Sequence, residues 1–260
     1  MKESAHIKSI LNQAALESGK ILLKYFGKKY GISSKGVVSN LVTEVDHRSD
    51  RKIISLIRKN FPEHSILTEE SGGLGGQCEY KWIIDPIDGT VNYAHGIPLS
   101  CVSIAVERSG ELMMGVVYNP MSGEYFYAEK GRGAFLNGRK IRVSSCREIS
   151  RSLLVTGFPY NSGKFRPDPV RVFRKFIKRD LPVRRLGSAA LDLCWTACGR
   201  FEGFWEYNLK AWDVAAGALI LREAGGKLSN FRGEEYSVYM KEILATNGRI
   251  HRSMLDIINS

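Results

Sequence analysis

The sequence predicts a mixed α/β fold, and three observations carry that prediction. Apolar residues of helical spacing open the chain. Short apolar strands punctuated by turn residues fill its middle. Strands then alternate with helices to the end. With 260 residues, 43% of them hydrophobic, the chain has enough material for one large buried core. An α+β lobe over 1–148 and an α/β lobe over 149–260 are expected within a single domain.

Ser4 reads as an N-cap for a first helix, whose apolar face is Ile7, Ile10, Leu11, Ala14, Ala15, Ile21, Leu22 and Tyr25; Gly27 stops it. Residues 28–40 are rich in Lys, Gly and Ser and read as a loop or a weak strand pair. Residues 41–46 open a second helix with Val45, Ile53, Ile54, Ile57 and Phe61 on its core face, ended by Pro62. Residues 65–68 form a short strand leading to Glu69, Glu70 and a Gly-rich loop. The strand at Trp82-Ile83-Ile84 halts at Asp85-Pro86, because proline removes a backbone donor. Segments 100–107, 112–118 and 124–129, separated by turn residues, read as an antiparallel meander, and Asn137-Gly138 suits a type I′ turn.

The second half changes character. A strand at 152–156 and a polar loop at 159–169 precede a basic amphipathic helix at 170–178. A strand near Val183 runs into a helix, and another strand covers 202–207. A helix dense in small residues starts at Ala211 and ends at Gly225-Gly226. Strands at 227–229 and 243–246 and a helix from Arg249 complete the alternation.

Net charge is +11. Such a surface is either simply solvated or draws in phosphorylated substrates, nucleic acid or acidic partners. The cations are spread along the chain, with a modest concentration from Lys164 to Arg185 and no nucleic-acid motif, so nucleic acid is not the favoured partner. No apolar run is long enough for a membrane helix, and the first residues read as an amphipathic helix rather than a signal peptide. The five cysteines (Cys78, Cys101, Cys146, Cys194, Cys198) lack metal-ligand spacing. Free thiols and a reducing, cytoplasmic compartment are expected, with Cys194 and Cys198 on the Leu191 face of a helix.

Chemistry concentrates at Asp85 and Asp88, two carboxylates three residues apart, followed by Gly89 and Thr90. They form either an Asp-rich turn or a site for a hard divalent cation such as Mg²⁺, which prefers oxygen ligands. The Ile87 carbonyl offers a further oxygen, Gly89 allows a tight turn, and the Thr90 hydroxyl can position a water. Glu69 and Glu70 are either surface charge or ligands at the lip of a sheet. Asp46 and Asp213, near helix starts, serve either the helix ends or a site. Whether these acids meet depends on the fold rather than on their spacing.

Residues 82–93, W-I-I-D-P-I-D-G-T-V-N-Y, resemble the first signature of the inositol monophosphatase family. Residues 212–226, W-D-V-A-A-G-A-L-I-L-R-E-A-G-G, resemble the second. Thr-Glu-Glu-Ser at 68–71 and Val42-Thr43 followed by Asp46 also match, and the resemblance spans essentially the whole chain. It implies a layered αβαβα sandwich of the inositol monophosphatase and fructose-1,6-bisphosphatase type. It also implies Mg²⁺-dependent hydrolysis of a phosphate monoester by a metal-activated water.

Carried over by resemblance, Glu69, Asp85 and the Ile87 carbonyl would hold one Mg²⁺, and Asp85, Asp88 and Asp213 a second. Glu70 would support a third through water. Thr90 paired with Asp46 would activate the attacking water. Asp88, Gly89, Thr90, Gly187, Ser188, Ala189, Glu206 and Asp213 would contact the substrate, and Lys35 matches a family lysine near the site. Residues 91–98 resemble the inositol-phosphatase subgroup, so myo-inositol-1-phosphate is the first expected substrate. Fructose-1,6-bisphosphate, or a broad set of sugar phosphates, is the runner-up. The resemblance implies a homodimer and lithium sensitivity. A reading of another class is a regulatory protein that binds RNA or a protein through its basic surface.

Overall fold

The computed structural model describes residues 2–34, 41–76, 78–159 and 168–260. Helix α1 (Lys2–Tyr25) leads to an antiparallel pair, β1 (Ile32–Ser34) and β2 (Leu41–Thr43), and then to α2 (Glu44–Asn60). An eight-stranded sheet follows, built from β3 (Ser65–Thr68), β4 (Gly72–Leu74), β5 (Tyr80–Asp88), β6 (Cys101–Arg108), β7 (Glu111–Asn119), β8 (Glu124–Glu129), β9 (Gly133–Leu136) and β10 (Arg139–Lys140). A short helix, α3 (Thr90–Ala94), lies between β5 and β6. The sheet order is β10-β9-β8-β7-β6-β5-β3-β4, with only β3 and β5 parallel among its pairs.

The remaining chain builds a five-stranded sheet from β11 (Leu154–Thr156), β12 (Val183–Arg184), β13 (Gly203–Tyr207), β14 (Lys227–Ser229) and β15 (Glu242–Thr246). Its order is β12-β11-β13-β15-β14, parallel across β12, β11 and β13 and antiparallel beyond. Helices α4 (Pro169–Ile177), α5 (Ala189–Ala197), α6 (Ala211–Glu223) and α7 (His251–Asn259) connect or follow these strands.

Strand alternation sorts the core into layers. Trp82 and Ile84 of β5 pack against Ile7, Leu11, Val45 and Ile53 of α1 and α2. Ile83 points the other way, into a core shared with Leu193 of α5, Ile220 of α6, and Val155 and Phe204 of the second sheet. Leu154, Trp205 and Leu244 leave that second sheet on its far face and meet Phe176 of α4 and Met254 of α7. The result is the αβαβα sandwich implied by the resemblance. The two central helices are pressed together at Gly217, where an added Cβ would lie 2.7 Å from the Leu193 Cβ.

Several boundaries differ from the sequence reading. Ser4 lies inside α1 rather than capping it. Residues 41–43 are a strand, and the helix begins at Glu44 because Thr43 forms a capping box with Asp46. Gly72 and Gly73 belong to β4, paired with β3, rather than to a loop. Strand β5 does not stop at Pro86. Asp85 pairs with Ser103 and Asp88 with Cys101, so β5 carries one more residue than β6 over this interval. This is a β-bulge, one of the few positions inside a sheet that tolerates proline. The meander and the Asn137-Gly138 turn are as expected, with φ of 49° and 77° at the two turn residues.

Gly217→Ala opposes two effects of known size. It adds about 1 kcal/mol of helix propensity and overpacks the α5–α6 contact at a cost of about 1–3 kcal/mol. Urea unfolding is expected to show net destabilisation; a stabilised variant would mean that these helices separate more easily than their packing implies.

Candidate active site

The bulge in β5 decides where the two signature aspartates point. Without the extra residue Asp88 would share the side of Ile84 and face α1 and α2. With it, Ile87 takes that side and packs with Trp82 and Ile84, while Asp88 turns toward α5. Asp85 keeps the parity of Ile83, so both carboxylates face the central helical layer. Gly89 then turns the chain at φ 86°, where an added Cβ would come within 2.7 Å of the Leu99 carbonyl oxygen. Asn92 fastens this turn to the second half of the chain, donating from Nδ2 to Leu99 O (2.8 Å) and Leu186 O (2.7 Å).

A cavity of about 290 Å³ opens here. Glu69, Asp85, Ile87, Asp88, Gly89, Thr90, Gly187, Ser188, Ala189, Glu206 and Asp213 all line it. Thus most of the residues singled out from the sequence meet at one place. Asp46 stands one bond behind the wall, accepting from Thr90 Oγ1 at 2.9 Å. The same threonine hydroxyl lies 2.9 Å from the Ile87 carbonyl oxygen. Glu70 does not line the cavity; its carboxylate lies 3.8 Å from His47 Nδ1. Lys35 lies outside the described residues.

Four of the acids are held by backbone or hydroxyl donors. Asp88 Oδ2 accepts from Ser188 Oγ (2.6 Å) and Ala190 N (2.7 Å) at the start of α5. Asp213 Oδ2 accepts from Lys210 N at 2.7 Å, and Asp46 Oδ2 from Thr43 N at 2.8 Å. Both therefore cap their helices with one oxygen and keep the other for further contacts. Asp85 Oδ1 accepts from Ile87 N at 3.0 Å.

Electrostatics set these groups against one another. Burial pushes the Asp85 carboxyl well above the usual carboxylate range, and the charges of Glu69, Asp88 and Asp213 push it further. Burial also raises Asp88, with Ser188 and Ala190 pulling back, and raises Asp213 well, with the Lys210 amide pulling back. Glu206 is pushed up to about 8 by burial and then by Asp213 and Asp88. Buried, mutually repelling, oxygen-only donors fit a hard divalent cation on chemical grounds. Among the described residues, no three His, Cys, Asp or Glu side chains close into a metal-ligating cluster; the acids line a shared cavity instead.

The sequence reading missed Gly157, Arg185 and Asp192, which also line the cavity. Gly157 has no sequence signal, yet an added Cβ there would sit 2.1 Å from Glu206 Oε2, so glycine is what leaves room for that carboxylate. Asp192 had one signal: it follows Ser188 by four residues, the spacing of one helix face.

Fold and site together define a layered α/β protein with a carboxylate-lined cavity at the edge of its central helices. The chain belongs to the inositol monophosphatase family, whose sequence profile matches residues 3–259. It is 43% identical over 246 residues to an inositol-1-monophosphatase of Synechocystis sp., covering 94% of this chain and 86% of that protein. It is 42% identical over 253 residues to the Nus factor SuhB of Haemophilus influenzae, covering 96% and 94%. The solved inositol monophosphatase of Anabaena (Nostoc) sp. superposes with a TM-score of 0.88 at 40% identity, covering 99% of this chain and 96% of that one.

The crowded acids give a pH signature. The folded pKa of Glu206, about 8, lies above its ordinary 4.5, so the folded state holds a proton that the unfolded chain releases. Stability then falls as pH rises from 4.5 through 8. In chelator the melting temperature is expected to rise as pH is lowered from 8 to 6.5. Saturating Mg²⁺ at pH 8 should stabilise by about 2.7 kcal/mol at a hundredfold excess over Kd and flatten that slope. Equal slopes with and without Mg²⁺ would contradict a cation site among these acids.

Proposed function

We propose that this chain hydrolyses the phosphate monoester of a polyol, myo-inositol-1-phosphate first, with fructose-1,6-bisphosphate or a broader set of sugar phosphates as the alternative. The observation that carries the reading is the meeting of Glu69, Asp85, Asp88 and Asp213 with Thr90 and Glu206 in one cavity. Mg²⁺ held by Glu69, Asp85, the Ile87 carbonyl, Asp88 and Asp213 would supply Lewis acidity and charge to offset the phosphoryl oxygens.

The protein's own groups do the rest. Thr90 Oγ1 donates to Asp46, which leaves the hydroxyl lone pairs to accept from an attacking water and orient it. The amides of Gly89 and Thr90 would donate to the phosphate. Glu206 would accept from vicinal hydroxyls, with Gly187, Ser188 and Ala189 forming the adjoining wall. Among the described residues, no Lys or His base is bonded to Thr90 that would make it a nucleophile.

A second reading, a polyanion-binding role with RNA as partner, is favoured by one specific feature. Arg171, Arg174, Lys175, Lys178 and Arg179 crowd along α4 and its end, and none forms an ion pair with a described carboxylate. Lys175 is lowered by burial and by the charges of Arg171 and Arg179. Several relatives carry the name Nus factor SuhB.

Asp88→Asn keeps an acceptor for Ser188 and Ala190, so the fold should survive while Mg²⁺-dependent phosphate release is lost; unchanged turnover would defeat the metal assignment. Glu206→Ala should raise KM for myo-inositol-1-phosphate about tenfold more than for an aryl phosphate, about 1.4 kcal/mol for one hydrogen-bonding group. Gly157→Ala should do the same by displacing Glu206, and equal effects on both esters would remove that role. For the second reading, the protein should retain single-stranded RNA with log affinity falling by roughly 0.7 per contacted phosphate for each tenfold rise in salt, and reversing two α4 charges should abolish that retention; no retention by the unaltered protein would defeat this reading.

A further inference from the structure

We propose that Asp192 is a second carboxyl group that contacts the polyol directly and, beside Glu206, sets the preference for hydroxyl-rich esters; this rests on the hydrolase reading above. Asp192 lies in α5, where its backbone N donates to Ser188 O at 3.0 Å. Helical side chains lean toward the N-terminus, which carries the Asp192 carboxyl to the turn that holds Ser188 and the cavity.

The side chain is only 1% exposed, and Oδ1 is fully buried without a hydrogen-bond partner. Other buried acids do not share this condition. Asp88 is held by Ser188 and Ala190, Asp213 by Lys210, and Glu202 by Leu153 N at 2.7 Å. Among the described residues only Ser100 Oγ and Tyr207 Oη are likewise unpartnered, and neither residue lines the cavity. A buried polar atom without a partner destabilises a fold, so its presence at a cavity wall points to a ligand that completes it.

Chemistry narrows that ligand. Burial pushes the Asp192 carboxyl well up, Glu206 and Asp88 add to this, and Arg185 offsets part of it. A carboxyl group accepts through both oxygens and, when it carries a proton, also donates, which matches a sugar hydroxyl, itself both donor and acceptor. A cation would instead select carboxylate oxygens already fastened by donors, of the kind that Asp88 and Asp213 present. Packing alone would be served at least as well by leucine in this apolar helix.

The test compares Asp192→Asn, which keeps a donor and an acceptor, with Asp192→Leu, which keeps neither. KM for myo-inositol-1-phosphate is expected to rise at least tenfold in the Leu variant, several-fold more than KM for p-nitrophenyl phosphate, with a melting temperature at or above wild type. The Asn variant should stay within threefold of wild type. Equal KM changes for both esters, no change, or a lowered melting temperature that tracks the loss would overturn the inference. If the Leu variant does not fold, Asp192→Ala takes its place under the same criteria. Absence of turnover in the wild-type protein would defeat the hydrolase reading instead. The subsite is then read by calorimetric binding of myo-inositol-1-phosphate with Ca²⁺ replacing Mg²⁺. Loss of heat in Leu but not Asn supports it, and equal heats or no heat with wild type overturn it.

Discussion

The extra residue in β5 reverses the side on which the end of that strand presents its side chains, and the cavity follows from it. Asp85 and Asp88 would otherwise face opposite layers of the sandwich. The bulge places both toward the central helices, where Asp88 reaches the hydroxyl of Ser188 and the amide of Ala190. That contact joins the last residue of β5 in the large sheet to the helix lying between the two sheets. Pro86 belongs to the same device: it removes a donor where the ladder is already interrupted.

Two of the remaining acids owe their placement to helix capping. Asp46 in α2 and Asp213 in α6 occupy the same position in their helices, each giving one carboxylate oxygen to the backbone amide that begins the helix. Capping and site chemistry are therefore two uses of one side chain rather than alternatives. The cap fixes the rotamer, and the fixed rotamer leaves the second oxygen in a defined place: on Thr90 for Asp46, beside the cavity for Asp213. This rigidity has a cost, because close, buried carboxylates repel one another. A cation that satisfies them would stabilise the fold and equip the site in the same event.

Much of this was legible in the residues. The strand–turn–strand punctuation of the meander, the small-residue helix α6 and the two signature stretches can be read along the chain because their signals are local. The bulge was not legible, since proline reads as a strand end until the partner strand is known. The start of α2 was misplaced because Leu41-Val42-Thr43 continues a helical apolar pattern, while the pairing with β1 that makes it a strand is set by Ile32 and Ser33 some ten residues earlier. Gly157 and Asp192 went unseen for a further reason. Their significance lies in their tertiary surroundings, Glu206 against Gly157 and the burial of an unpartnered Asp192 oxygen, and the Ser188–Asp192 spacing gives only the shared helix face.

The most direct test of the central claim is anomalous diffraction from crystals grown in Mn²⁺, an oxygen-seeking stand-in for Mg²⁺. The account predicts at least one strong anomalous peak in contact with the carboxylates of Asp85, Asp88 and Asp213. Crystals that bind Mn²⁺ elsewhere while leaving these three acids without a peak would contradict it.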